Sequence, residues 1–335
     1  AMKKSYFPED GIWLKGNPHS HSTVSDGMFT PEELAASYAS AGYDFLSMTD
    51  HNILESHDGL IGDRLLLLTG LEHDIEYSPD KCTHVVGLSA AGKCTTDYPC
   101  RRYSSAELTD QQLVDMMRRD GQFVSLAHPV WSRMTWEEIE SLSGCHAIEI
   151  YNNGTEHLCH GGNAEVLWDL LLRQGKKLYA TAVDDVHVPD DLFGGWIWVK
   201  AASRTTEAVL DALFQGTFYA TSGPVIHDFG MDGDCVYVSC SDCREIHFVT
   251  YAPRGKSFFA GAGKPLTAAW RVRPAILPAR YGFGGENRAV LLFLDWDGDL
   301  AAAVPARSGS IEIARIVKLP DASGKPIRLC GVRGH

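Results

Sequence analysis

Fourteen histidines are spread through this 335-residue chain, and several stand near carboxylates at intervals that could hold metal ions. His19-Ser20-His21 leads, inside the run His19-Ser20-His21-Ser22-Thr23-Val24-Ser25-Asp26-Gly27. On an extended segment alternate residues share a face, so both imidazoles could serve one ion. The triplet alone is weak, because so many histidines make such a triplet by chance and two solvated loop histidines would look the same. Asp26, five residues after the second histidine, adds a carboxylate. Thr49-Asp50-His51, Ala127-His128-Pro129 and Asp185-Val186-His187 each follow an apolar run, Glu72 ends a leucine-rich run, and His84 lies beyond it. Taken singly, each reads equally well as a satisfied polar residue or a helix cap. Six successive placements in one series point instead to a shared site.

Imidazole and carboxylate ligands without cysteine suit Zn²⁺, Mn²⁺ or Fe²⁺, and the residues do not choose among them. Adjacent cations with centres ~3.5–4 Å apart acidify a bridging water and neutralise phosphoryl oxygens, so no serine or cysteine nucleophile is required. Asp50 and Asp184 read as groups that orient imidazoles or as caps. Arg133, in His128-Pro129-Val130-Trp131-Ser132-Arg133, could clamp a phosphate or be a surface arginine. Arg101-Arg102 offers the same role with less to support it. Tyr151-Asn152-Asn153-Gly154, His157 and His160 read as loop residues near a pocket. Cys240 and Cys243 form a lone CxxC without the second pair that structural zinc needs. Gly282-Phe283-Gly284-Gly285 is too short to cradle a phosphate.

The elements that must position these residues alternate. Thr30-Pro31-Glu32-Glu33 supplies a cap, a first-turn proline and a capping-box glutamate for a helix that stops at Gly42. Tyr43–Thr49, Leu65–Glu72, His84–Ser89, Phe123–Ala127, Ala147–Tyr151 and Leu178–Val183 read as strands. Thr109–Asp120, Thr135–Leu142, Asn163–Gln174 and Thr205–Gln215 read as helices, and Phe218–Thr221 closes the series. Such alternation predicts a mostly parallel sheet, open or rolled into a barrel, with the polar residues at the strand ends where barrel chemistry is assembled. After Ser222-Gly223-Pro224 the pattern changes to Val236–Cys240, Ile246–Tyr251, Leu266–Val272, Ala289–Trp296 and Ile311–Leu319, separated by Gly, Pro and Asp. That predicts an antiparallel, sandwich-like module.

Hydrophobic residues make up 44% and charged residues 22% of the chain, a globular balance, and the net charge is −13. That charge and the absence of a basic stripe argue against a stable nucleic-acid partner. No apolar run is long enough to span a bilayer. Ala1–Pro8 lacks the apolar core of a signal peptide, and Ala1 ahead of Met2 reads as an expression remnant. Nine cysteines without framework spacing suit a reducing cytoplasm.

The ordered set HxH…SDG, TDH, Glu, His, AHP, DxH resembles the PHP (polymerase and histidinol phosphatase) superfamily over roughly residues 10–221. The resemblance implies a distorted (β/α)7 barrel carrying two or three divalent metal ions (Zn, Mn or Fe). It implies that His19, His21, Glu72 and Asp185 hold one ion. Glu72 would bridge to a second held with His84 and His128, the His84 assignment resting only on its distance from Glu72 and its strand context. Asp26, His51 and His187 would hold a third. Residues 1–222 are then expected to form the barrel and 223–335 a β-rich accessory domain without metal ligands, although His227 and His247 lie there.

The expected activity is hydrolysis of a small phosphomonoester or phosphodiester, with Glu72, Asp26 and His187 as catalytic residues and Arg133 on the substrate. Two alternatives stand beside it. Carboxylic or carbamate ester hydrolysis at the same centre is suggested because part of the superfamily with a similar Ser-Gly-Pro junction and β appendix is associated with carbaryl-type hydrolysis. A non-catalytic, metal-stabilised binding protein would show a ligand position replaced, and none is.

Overall fold

The computed structural model describes residues 3–57, 59–90, 101–232, 235–250, 256–261, 264–272, 289–296, 299–303 and 311–315. Strands Ile12–Asn17, Phe45–Met48 and Leu66–Ser78 pair in parallel. Leu66–Ser78 then turns through Pro79 and Asp80 into an antiparallel hairpin with Lys81–Ser89, which pairs antiparallel with Phe123–Leu126. Ala147–Asn152 and Tyr179–Val183 continue in parallel. On the other side of Ile12–Asn17, Trp196–Ala201 and Phe218–Thr221 add antiparallel strands. The sheet is therefore mixed, where alternation alone predicts it mostly parallel, because Lys81–Ser89 and Trp196–Ala201 each run antiparallel to both of their neighbours.

The ribbon nearly closes on itself. Tyr179–Val183 lies beside Trp196–Ala201 and Phe218–Thr221. At one rim Asp185 N–H donates to His19 O at 3.0 Å and His21 N–H to Val186 O at 3.2 Å. That seam sets the HxH triplet directly against Asp185-Val186-His187.

The helices Pro31–Ser40, Asp110–Arg119 and Trp136–Ser141 begin at the capping boxes Thr30/Glu33, Thr109/Gln112 and Thr135/Glu138. Each box satisfies two of the N–H groups that a helix start leaves unpaired. Glu165–Arg173 buries Trp168, whose indole N–H donates to Leu178 O at 2.8 Å. Phe45, Leu71, Val85, Ile148, Trp168, Val199 and Leu213 belong to one buried core, each large side chain contributing about 1.5–3 kcal/mol by leaving water.

Two local expectations are corrected. Asn153–Cys159, read from sequence as a loop, is a helix. Asn152 caps it by accepting Thr155 N–H at 3.0 Å, and His160 ends it in left-handed backbone. Ile12–Asn17 and Trp196–Ala201 are strands that the strand-and-helix series omits.

Past the barrel, Lys3–Ser5, Ile226–Asp232, Cys235–Cys243 and Leu266–Val272 form a four-stranded antiparallel sheet. Phe229, Val236 and Val238 from it pack with Ile246 and Phe248 of Glu245–Thr250, so two sheets face one another as in a sandwich. Glu245–Thr250 pairs with Lys256–Phe259 and Ile311–Arg315. Ala289–Trp296 runs parallel to Ile311–Arg315 and antiparallel to Asp299–Ala303, which joins Phe218–Thr221 of the barrel. Gly282–Gly285 and the outer ends of the expected strands Ile246–Tyr251 and Ile311–Leu319 lie outside the described residues. No helix among the described residues is long and apolar enough to cross a membrane.

Candidate metal centre

Every expected ligand arrives at the same rim. His19 and His21 follow Ile12–Asn17, His51 follows Phe45–Met48, and Glu72 and His84 lie on the two arms of the hairpin, His84 opposite Asp74 with its ring reaching Glu72. His128 follows Phe123–Leu126, and Asp185 and His187 follow Tyr179–Val183. All of them but His128, which meets Glu72 from outside, contribute atoms to three overlapping groups. His19, His21, Glu72 and Asp185 form the first, wholly buried group. Glu72, His84 and His51 form the second. His21, Asp26, His51 and His187 form the third, on the more open side.

The distances show how tightly they converge. His19 Nε2 is 3.1 Å from His21 Nε2 and 3.1 Å from Asp185 Oδ1, which is 3.0 Å from His21 Nε2. Glu72 Oε2 is 3.3–3.4 Å from His19, His21 and His51, and its Oε1 is 3.0 Å from both His84 Nδ1 and His128 Nε2. Asp26 lies 3.4 Å from His187 Nε2 and 3.6 Å from His51 Nε2. Glu72 belongs to the first two groups, with Oε2 toward His19, His21 and His51 and Oε1 toward His84 and His128. Three of the converging buried atoms have no hydrogen-bond partner: His51 Nδ1, Glu72 Oε2 and Asp185 Oδ1. Orphaned acceptors packed this closely are costly unless a cation sits among them. The donor set fits divalent ions.

The protonation tendencies say the same. Burial favours neutral forms, yet His19, His84, His51 and the His128 hydrogen bond bring the Glu72 carboxyl well below its ordinary range. Asp185 is likewise held ionised against burial by His19, His21 and His128. Burial opposes a charge on His19, but Asp185, Glu149 and Glu72 outweigh it and raise its pKa well above normal. The pocket concentrates negative charge that draws protons or cations.

Supporting groups hold these ligands still. Glu149, in the middle of Ala147–Asn152, takes His19 Nδ1 at 2.6 Å through Oε1. Its Oε2 accepts the backbone N–H of His128 and the amide of Asn152, both at 2.9 Å. Asn152 also donates to Asp185 Oδ2 at 3.0 Å. Such outer partners fix ring orientation and ligand basicity. They also hold two ligands in unusual backbone, His128 at φ 22° and Asp185 at φ 51°. Sequence reasoning missed Glu149. The one signal available was a single carboxylate inside an otherwise apolar strand.

Neither Asp50 nor Asp184 is shown touching an imidazole. Asp50 accepts the N–H groups and hydroxyls of Ser22 and Ser25, shaping the loop that carries Asp26. Asp184 accepts the N–H groups of Phe193, Gly194 and Gly195 and the Tyr38 hydroxyl. Gly27 has no room for a side chain, since a Cβ would meet His21 O at 2.4 Å. Trp131 forms one wall, its ring 4.8 Å from His128 and 5.5 Å from His84. Arg133, two residues on, is exposed. His157 lies 3.9 Å from Asp191, and His160 pairs with Glu156. Among the described residues, no C-terminal side chain belongs to a metal-competent group.

No family model matches the chain. Over 53 residues, 16% of this chain, it is 42% identical to the DNA polymerase/3'-5' exonuclease PolX of Bacillus subtilis, and the match spans 9% of that protein. Among solved structures it is similar to a two-domain protein from Bacteroides vulgatus containing a predicted PHP-like metal-dependent phosphoesterase. That likeness has a TM-score of 0.44 at 16% identity and covers 95% of this chain and 98% of the other. It is also similar to an amidohydrolase from Chromobacterium violaceum with bound sulfate and no metal, with a TM-score of 0.38 at 19% identity, covering 52% and 88%.

Proposed function

We propose that this chain is a metal-dependent hydrolase of PHP type, a distorted (β/α)7 barrel that cleaves a small phosphomonoester or phosphodiester with water. The observation that carries the metal centre is the convergence of His51 Nδ1, Glu72 Oε2 and Asp185 Oδ1, buried and without partners. In this reading His19, His21, Glu72 and Asp185 hold one divalent ion, Glu72, His84 and His128 a second, and Asp26, His51 and His187 a third. Bound there, such ions (Zn, Mn or Fe) acidify water and neutralise phosphoryl charge.

The chain's own residues supply the rest. Glu72 ties the groups together through its two oxygens. Glu149 and Asn152 fix His19, His128 and Asp185. Asp26 and His187, the more exposed pair, with side chains 55% and 34% accessible, form the edge that an entering substrate meets first. A centre that neutralises anionic charge suits a phosphoester better than a neutral ester. The charge of −13 fits a small substrate better than a nucleic-acid strand. Residues 1–222 would form the catalytic barrel and 223–335 an accessory module.

The test is a panel assayed on metal-reconstituted protein: phosphomonoesters, cyclic phosphodiesters, single-stranded DNA, and aryl carboxylic and carbamate esters. Turnover of the small phosphoesters is expected. Turnover confined to aryl esters overturns the substrate assignment, and processive DNA degradation overturns the charge argument.

A further inference from the structure

Side chains alternate along a strand, so Asp74 lies on the same face of Leu66–Ser78 as Glu72. Its carboxylate is buried at 2% exposure. Oδ1 stands 3.9 Å from His51 Nδ1 and accepts the Asn52 amide, and Oδ2 takes Nε of Arg102. The backbone delivers Arg102 there. Tyr103–Ser104 pairs in parallel with the same strand, Tyr103 opposite Ile75 and Ser104 opposite Glu76, which puts Arg102 beside Asp74. Its neighbour Arg101 goes elsewhere, to Glu107 at 2.9 Å and over the Tyr103 ring at 4.5 Å.

Arg102 is 59% exposed while its partner is buried at the edge of the ligand cluster. Its guanidinium therefore lies at the solvent-facing side of Asp74, which itself stands 3.9 Å from His51. With Nε engaged by Asp74, the terminal NH2 groups remain, a planar fork that matches two phosphate oxygens. Among the described residues, the further carboxylate paired with them, Glu76, is 3.9 Å from Nη1, beyond hydrogen-bond length.

We propose that Arg102 is the anion-binding residue of this centre, taking the outer oxygens of a phosphoryl group presented to the metal ligands while Asp74 holds its guanidinium in place. This deepens the phosphoester reading and rests on it for the substrate, though not for the binding of phosphate itself. The experiment is calorimetric titration of inorganic phosphate into the Mn²⁺-reconstituted full chain, with metal content measured alongside, for wild type, Arg102→Met, Arg102→Lys and Arg101→Met. Arg102→Met is expected to weaken phosphate binding at least about tenfold at unchanged metal content. Arg102→Lys should recover part of the loss, and Arg101→Met should match wild type. In the ester assay Arg102→Met should raise KM more than it lowers kcat.

Three results overturn the proposal: a wild type that binds no phosphate, an Arg102→Met variant that binds it as tightly as wild type, or a loss that only accompanies loss of metal. If phosphate binding depends on Arg102 while wild type cleaves no phosphoester, the anion site stands and the proposed function falls.

Discussion

His247 in the C-terminal module and His19 at the barrel rim each hold a carboxylate at hydrogen-bonding distance, yet their surroundings differ. His247 Nε2 meets Glu245, two residues away on the same strand, at 3.0 Å, and its Nδ1 meets Ser257 at 2.7 Å. Both ring nitrogens are satisfied by local partners. His19 gives Nδ1 to Glu149, 130 residues away, and turns Nε2 toward His21, Asp185 Oδ1 and Glu72 Oε2, the two carboxylate oxygens being without hydrogen-bond partners. A histidine beside a carboxylate is ordinary protein chemistry. What marks a site is several such groups from distant segments aimed at one point with acceptors left unmet.

That contrast predicts a graded set of effects. Glu72→Gln removes the carboxylate charge that two of the groups share and should lower kcat/KM by about a thousandfold, equivalent to several kcal/mol of lost charge stabilisation. Parallel steady-state kinetics and metal analysis check it, and near-normal activity would remove Glu72 from the centre. Glu149→Gln leaves every proposed ligand in place but loosens His19 and the His128 backbone. It should cost about 10–100-fold in metal affinity or activity, read by competition with a chelator.

Asp26→Asn and His187→Ala act at the open edge and should reduce metal stoichiometry toward two while sparing the buried group. Equal loss of all metal would show that the groups fill as one. At the bottom of the scale, His247→Ala should leave metal content and turnover within about twofold of wild type, as expected of a surface substitution. A larger drop would tie the C-terminal module to the centre.

Much of the site was legible because strand ends announce themselves locally. Thr49-Asp50-His51, Ala127-His128-Pro129 and Asp185-Val186-His187 each interrupt an apolar run, and the fold gathers those interruptions on one rim. His84 rested on its distance from Glu72 and its strand context. The structure explains the spacing, since the hairpin turn at Pro79-Asp80 sets His84 opposite Asp74 and brings its ring to Glu72. The reach of that hairpin was hidden because Glu76, Tyr77 and Ser78 are exposed and interrupt the apolar pattern.

Strand direction was not legible, since a buried run reads alike whether its neighbour is parallel or antiparallel. Trp196–Ala201 did carry a signal, the aromatic and β-branched run Trp196-Ile197-Trp198-Val199. Glu149 and Asn152 could not be assigned from sequence because their roles depend on His19, His128 and Asp185, which only the closed ribbon brings within reach. The placement of Arg102 depends in the same way on a two-residue pairing with no sequence signature.

The most direct test of the central claim is metal analysis of the reconstituted protein, combined with anomalous scattering from its crystals. The account predicts two or three divalent ions per chain, seated among His19, His21, Asp26, His51, Glu72, His84, His128, Asp185 and His187 and removable by a chelator with loss of activity. Less than one ion per chain after reconstitution, or ions bound away from Glu72, would contradict it.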